Sequence, residues 1–127
     1  DAVASHPYSF PRRPEDPADW TGWNIMTGPI RALMTAHGDG DKKIWITEIG
    51  APTNAINSKV TEVEQAEMLA QAVELARGYD WAGPVFWYSF QDLGTDPANN
   101  EDWFGLRRAD GAEKPAYRAL KAITAEH

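Results

Sequence analysis

Short apolar runs alternate along this chain with longer stretches whose apolar residues recur at helical spacing. Residues 2–6 read as an opening strand. A loop through Pro17 follows, in which four prolines disfavour regular structure. Trp20, Trp23, Ile30, Leu33 and Met34 then repeat at roughly helical intervals, with Gly28-Pro29 expected to kink or restart the helix. The polar turn Gly38-Asp39-Gly40-Asp41 ends that helix and feeds a second strand, Ile44 to Glu48. Thr61-Glu62-Val63-Glu64 has the form of a capping box and predicts a helix start. Val63, Ala66, Leu69, Ala70, Val73 and Ala76 mark its expected buried face, and Gly78 is the expected left-handed terminator. The third strand, Pro84 to Phe90, is almost continuously apolar, as a strand covered on both faces would be. After a polar loop, Phe104-Gly105-Leu106 and the Asp110-Gly111 turn lead to Pro115, suited to the first turn of a closing helix with Tyr117, Leu120 and Ile123.

This order predicts an α/β fold with parallel strands joined by right-handed crossovers. At 127 residues and 43% apolar composition with six Trp, residues 1–127 form one domain with a real core. Three βα units do not close a barrel, which takes about 250 residues. The opening Asp1-Ala2-Val3-Ala4-Ser5 reads as a strand rather than a leader, so the chain is expected to be a piece of something longer.

Composition narrows the function. A formal charge of −7 and a pI near 4.8 argue against nucleic acid and against an anionic membrane as partners. The absence of cysteine excludes disulfides and thiolate chemistry, and the localisation cannot be read. No membrane span is apparent. No His and carboxylate pair shows metal-ligand spacing, and no cofactor motif is present. The most telling residue is Glu48, which closes the run Lys43-Ile44-Trp45-Ile46-Thr47-Glu48-Ile49-Gly50. A carboxylate at a strand end either pairs structurally or faces a pocket where it acts.

Three segments carry a family resemblance: His6-Pro7-Tyr8, Trp45-Ile46-Thr47-Glu48-Ile49-Gly50, and Val85-Phe86-Trp87-Tyr88-Ser89-Phe90-Gln91-Asp92. Together they resemble the last three strands of a retaining glycoside hydrolase of the cellulase clan, with families 5 and 39 and their relatives the nearest in character. Trp103-Phe104-Gly105-Leu106 through Lys114-Pro115-Ala116-Tyr117 resembles the closing part of the same clan. The resemblance implies an incomplete TIM (β/α)8 barrel made of strands 6–8. It implies Glu48 as catalytic nucleophile, Tyr8 as its hydrogen-bond partner, His6 as a substrate or network contact, and Trp87 as the aromatic floor beneath a carbohydrate substrate.

Retaining hydrolysis needs two carboxyl groups about 5–5.5 Å apart, and the resemblance places the acid/base outside this chain. Asn100-Glu101 copies the clan's acid/base dipeptide but lies in a polar loop with no apolar strand before it. The chain alone is therefore expected to be inactive, and an incomplete barrel is expected to self-associate as a homo-oligomer or to pair with a missing amino-terminal half. The alternative is a non-catalytic carbohydrate-binding or structural remnant.

Bland readings stand beside these. Glu48 could be an ion-pair partner, His6 an ordinary hydrogen-bonded histidine, and Trp87 a core residue. Trp45 is expected to pack under the helices by strand alternation, and Trp20, Trp23, Trp81 and Trp103 to pack as well. Asp92, Asp96 and Asp102 read as solvated loop charges, with Asp92 also able to line the cleft. His37 reads as a helix end, where a cation suits the dipole.

Overall fold

The computed structural model of the chain describes residues 1–126. Three parallel strands lie in the order β1-β2-β3, where β1 is Ala2–Ser5, β2 is Lys43–Ile49 and β3 is Ala82–Trp87. Between β1 and β2 run the short helices α1 (Gly22–Ile25) and α2 (Arg31–Ala36), joined by a π-helical segment, Met26–Ile30, that contains Pro29. A proline there removes one backbone donor, and the wider π turn accommodates the loss without a sharp break. Between β2 and β3 lie a single turn, α3 (Ala55–Ser58), and the long helix α4 (Glu62–Arg77). A 3₁₀ turn at Asn100–Trp103 and the closing helix α5 (Pro115–Ala125) complete the order. Among the described residues no helix is long and apolar enough to cross a membrane.

The capping box at the start of α4 is complete: Glu64 N–H donates to Thr61 Oγ1 at 3.2 Å, and Thr61 N–H donates to Glu64 Oε2 at 2.7 Å. Those bonds hold the Glu64 carboxyl below its ordinary range. Two expectations for α4 are corrected. Gly78 has φ −77° and continues right-handed, and the buried face is Gln65, Met68, Leu69, Ala72 and Ala76, with Val63 60% exposed. The face is rotated because Gln65 is drawn inward: its amide donates to the carbonyls of Ala51 at 3.0 Å and Gly105 at 3.2 Å, satisfying loop groups that no ladder reaches. A polar residue on the buried stripe defeats a reading by hydrophobicity alone.

One face of the sheet packs on the helices. Ile44, Ile46 and Ile49 of β2 sit with Trp23, Met26, Met34, Ala72 and Ala76 in the main core. The opposite face is open. Trp45, expected beneath the helices, lies on that open face at 45% exposure, over Gly83, and Phe86 is 52% exposed. Strict alternation with Ile44 and Ile46 puts it there, since only one parity of β2 can meet the helices. Trp23 is buried and Trp81 stacks on Tyr79 at 4.6 Å, whereas Trp20 is 55% exposed, against expectation.

The register of β2 breaks this alternation once. Ile46 pairs with Val85 and Ile49 with Trp87, so three steps on β2 face two on β3. The extra residue is a bulge, and it lets Ile46 and Ile49 both enter the core while the intervening Glu48 stays at the rim of the sheet.

Candidate active site

Glu48 stands at the carboxyl end of β2, the end at which parallel α/β barrels build their sites. The loop after β1 brings two side chains to it. Tyr8 Oη donates to Glu48 Oε2 at 2.8 Å, and His6 Nδ1 lies 3.6 Å from the same oxygen. Both partners address Oε2, which leaves Oε1 without a hydrogen bond among the described residues. Tyr8 is placed by its own loop: Tyr8 N–H donates to the His6 carbonyl, and Gly22 N–H donates to the Tyr8 carbonyl, both at 2.9 Å.

The cleft above Glu48 has a volume of about 510 Å³ and is lined by Tyr8, Phe10, Glu48, Tyr88, Glu101 and Phe104. Tyr8, Phe10 and Phe104 pack edge to face with centroids 5.8, 6.0 and 6.1 Å apart, and Tyr88 tilts onto Phe104 at 5.3 Å. Such pairs are each worth about 0.5–1.5 kcal/mol beyond area burial, so the wall is a rigid aromatic surface. Gly50 permits the turn between β2 and this wall, because a β-carbon there would collide with the Tyr88 carbonyl oxygen.

Trp87, expected to floor the cleft, does not reach it. Trp87 lies opposite Ile49 in the β2–β3 register and packs against all three apolar clusters of the helix-facing side. Its indole N–H is buried without a hydrogen-bond partner. Tyr88, one residue on, lines the cleft instead. In a run as uniformly aromatic as Phe86-Trp87-Tyr88, parity decides which ring faces out, and the sequence does not display that parity.

Two further residues escaped sequence reasoning. Asp92, read as a loop charge, is buried and ion-paired with Lys114, Nζ to Oδ1 at 2.7 Å. Lys114 Nζ also donates to Thr53 Oγ1 at 2.9 Å and to the Trp103 carbonyl at 3.2 Å, and Gly105 N–H donates to Asp92 Oδ1 at 2.8 Å. Burial pushes the Asp92 carboxyl up and the Lys114 ammonium down, while their mutual bond resists both shifts. The pair fastens the loop after β3 to the loop after β2, behind the aromatic wall. The second is Glu101, set aside in the sequence but found on the cleft wall. Of the other loop acids, Asp102 accepts from Asn99 Nδ2 and Asp96 N–H, both at 3.0 Å, and Asp96 accepts from Ala98 N–H at 2.9 Å. His37 caps α2 away from the site.

Burial, followed by the hydrogen bond and charge of Glu48, raises the Tyr8 phenol far above its ordinary value of 10.0. Absorbance titration should show one phenol that stays protonated well past the usual range near 10. Tyr8→Phe should remove that late step, and Glu48→Gln should bring it part of the way back, since burial persists. The folded phenol keeps its proton after the unfolded one has lost it, so stability falls as pH rises beyond about 10. A single ordinary ionisation step for every tyrosine would contradict this geometry.

Among the described residues no group of three or more His, Cys, Asp or Glu side chains could hold a metal ion. No family model matches the sequence, and no curated protein matches it. Solved structures do. A family 39 glycoside hydrolase from the gut symbiont Bacteroides cellulosilyticus WH2 is 30% identical with a TM-score of 0.72, over 96% of this chain and 26% of that one. A GH5_18 enzyme from Bifidobacterium longum subsp. longum is 27% identical with a TM-score of 0.57, over 70% of this chain and 21% of its own. A GH2 beta-galacturonidase from Eisenbergiella tayi, at 18% identity and a TM-score of 0.71, shares the fold over 99% of this chain and 24% of its own. The chain thus spans about a quarter of the family 39 enzyme's length. Its three parallel strands fit part of a TIM-barrel-like fold, and the kinship it shows in structure and sequence is with the clan-A glycoside hydrolases, of which it matches a segment.

Proposed function

We propose that this chain supplies strands 6–8, the carboxyl-terminal part, of a retaining glycoside hydrolase acting on β-linked glycosides, with Glu48 as nucleophile and the acid/base outside the chain. The observation that carries this reading is the placement of Glu48: a carboxylate at the carboxyl end of a parallel strand, held through one oxygen by Tyr8 beneath an aromatic wall. In the first step Glu48 Oε1 forms a bond to the anomeric carbon, the bond from that carbon to the aglycone oxygen breaks, and the electron pair leaves with the aglycone. Tyr8 and His6 keep the carboxylate aimed by engaging Oε2. The sugar's C–H face suits Tyr88 and Phe104, which take the platform role expected of Trp87. A β-linked substrate accords with the similar GH5_18 enzyme whose E140A form was solved in complex with Manb1-4GlcNAc.

Covalent trapping tests this. A 2-deoxy-2-fluoro aryl β-glycoside with a dinitrophenolate leaving group needs no acid assistance, so a glycosyl adduct on the peptide containing Glu48 is expected. Sugar binding with no adduct would favour the non-catalytic, carbohydrate-binding remnant.

The open face of the sheet extends the proposal to assembly. Trp45 and Phe86 are half exposed there, and β1 and β3 have unpaired outer edges. A second copy of the chain covers this face in the arrangement we propose. Light scattering coupled to gel filtration at micromolar concentration should give a mass of at least twice 14.1 kDa, and a clean monomer would refute self-association.

A further inference from the structure

We propose that Glu101 makes the cleft select sugars by charge, admitting neutral and ammonium-bearing rings and turning away uronates. This rests on the reading of the cleft as a sugar site and goes beyond it by naming a selectivity residue and a ligand class. Glu101 lies in the 3₁₀ turn after β3, while Glu48 ends β2, so the two carboxylates enter the cleft from different elements. The other lining residues are Tyr8, Phe10, Tyr88 and Phe104, with no Lys or Arg among them. His6 addresses Glu48 Oε2, and the Lys114 ammonium behind the wall is paired with Asp92. Among the described residues the Glu101 carboxylate has neither a hydrogen bond nor an ion pair, whereas its neighbour Asp102 is engaged by Asp96 N–H and Asn99 Nδ2.

The loop that presents Glu101 is held from several sides. Asn54 Nδ2 donates to the Pro97 carbonyl at 2.9 Å and to Asn100 Oδ1 at 2.8 Å, Asn57 Nδ2 donates to Asn100 Oδ1 at 2.9 Å, and Glu101 N–H donates to Asn99 Oδ1 at 3.2 Å. These bonds use main chain and neighbours, so the Glu101 side chain is positioned without being spent. Its charge also reaches across the cleft, where it contributes to raising the Tyr8 phenol. A ring carboxylate bound beside Glu48 and Glu101 meets two like charges with no Lys or Arg in the cleft lining to offset them, while an ammonium meets two favourable ones.

The test is a chemical-shift titration of the chain with methyl β-glucosaminide, methyl β-glucoside and methyl β-glucuronide at low salt. The aminosugar should bind tightest and the uronide weakest, each step about threefold, the size expected for unit charges several ångströms apart in partly solvated surroundings. Glu101→Gln should compress each step by roughly twofold, and about 0.5 M salt should compress them in both proteins. The side chain is exposed and only its backbone N–H is bonded, so the variant should unfold as the parent does. Glu74→Gln, on the exposed face of α4, controls for net charge and should change nothing. An unchanged order in Glu101→Gln, an equal compression in Glu74→Gln, or a glucuronide bound as well as the glucoside would overturn the inference and leave the sugar-site reading intact. No binding by any of the three sugars would overturn that reading and the inference with it.

Discussion

Glu48→Gln is expected to abolish the release of the phenol from an activated β-glycoside and to leave no sugar attached to the chain. Glutamine keeps the shape of the side chain and still offers Tyr8 an oxygen to donate to, so the 2.8 Å contact that orients residue 48 survives. What would be lost is the anionic oxygen to which we assign the attack. An amide oxygen is a poor nucleophile, and removal of a covalent nucleophile typically lowers turnover on the order of 10⁴- to 10⁶-fold. Rapid-mixing absorbance measurements should therefore show a burst proportional to protein in the parent and a flat baseline in the variant, with sugar binding retained. A burst of equal size in Glu48→Gln would remove Glu48 from the nucleophile role, whatever the chain binds.

Lys114→Met should destabilise the fold by about 3–5 kcal/mol, the usual cost of leaving a buried charge without its partner. The pair is buried on both sides, with side-chain exposures of 0% for Lys114 and 2% for Asp92. Removing the ammonium strands the Asp92 carboxylate and takes a donor from Thr53 Oγ1 and from the Trp103 carbonyl. A domain of this size has only about 5–15 kcal/mol of net stability, so the loss is a large share of it. Urea unfolding should show the shift. The double variant Asp92→Asn with Lys114→Met should recover part of it, because asparagine can still accept from Gly105 N–H without leaving an unpaired charge. The same variants should loosen the cleft wall, since Phe104 and Glu101 lie on the segment that the pair fastens. A single variant within about 1 kcal/mol of the parent would show that water reaches the pair and that its burial matters little.

The two predictions differ in how far the sequence could lead to them. Glu48 is legible because an acidic side chain ending a short apolar run violates the pattern around it, and violations of that kind mark places where chemistry or pairing is required. The three strands and the capped start of helix α4 are legible for the opposite reason: propensity and the capping box agree with the element that forms, even though the buried face and the end of α4 differ from expectation. Lys114 and Asp92 are invisible because 22 positions separate them and each alone reads as a solvated charge. Gln65 misleads similarly, since its hydrogen bonds go to carbonyls that only the folded loops bring near. Trp87 and Tyr88 depend on strand parity, which the bulge in β2 and the register shifts against β3 set through tertiary pairing, whereas Trp45 follows from plain alternation once Ile44 and Ile46 are known to meet the helices. Glu101 depends on where a polar loop lands.

That bulge has a consequence for how the chain tolerates change in length. With one extra residue between Ile46 and Ile49, β2 keeps both of these greasy side chains in the core and still delivers its acid to the cleft. Shortening the strand by a single residue there, at Thr47, would remove the bulge and restore plain alternation, with both isoleucines still toward the oily layer and the acid still toward the cleft. Outside the bulge the loss of one residue reverses every side chain beyond it, so β2 absorbs a change of length where it bulges and not where it runs straight.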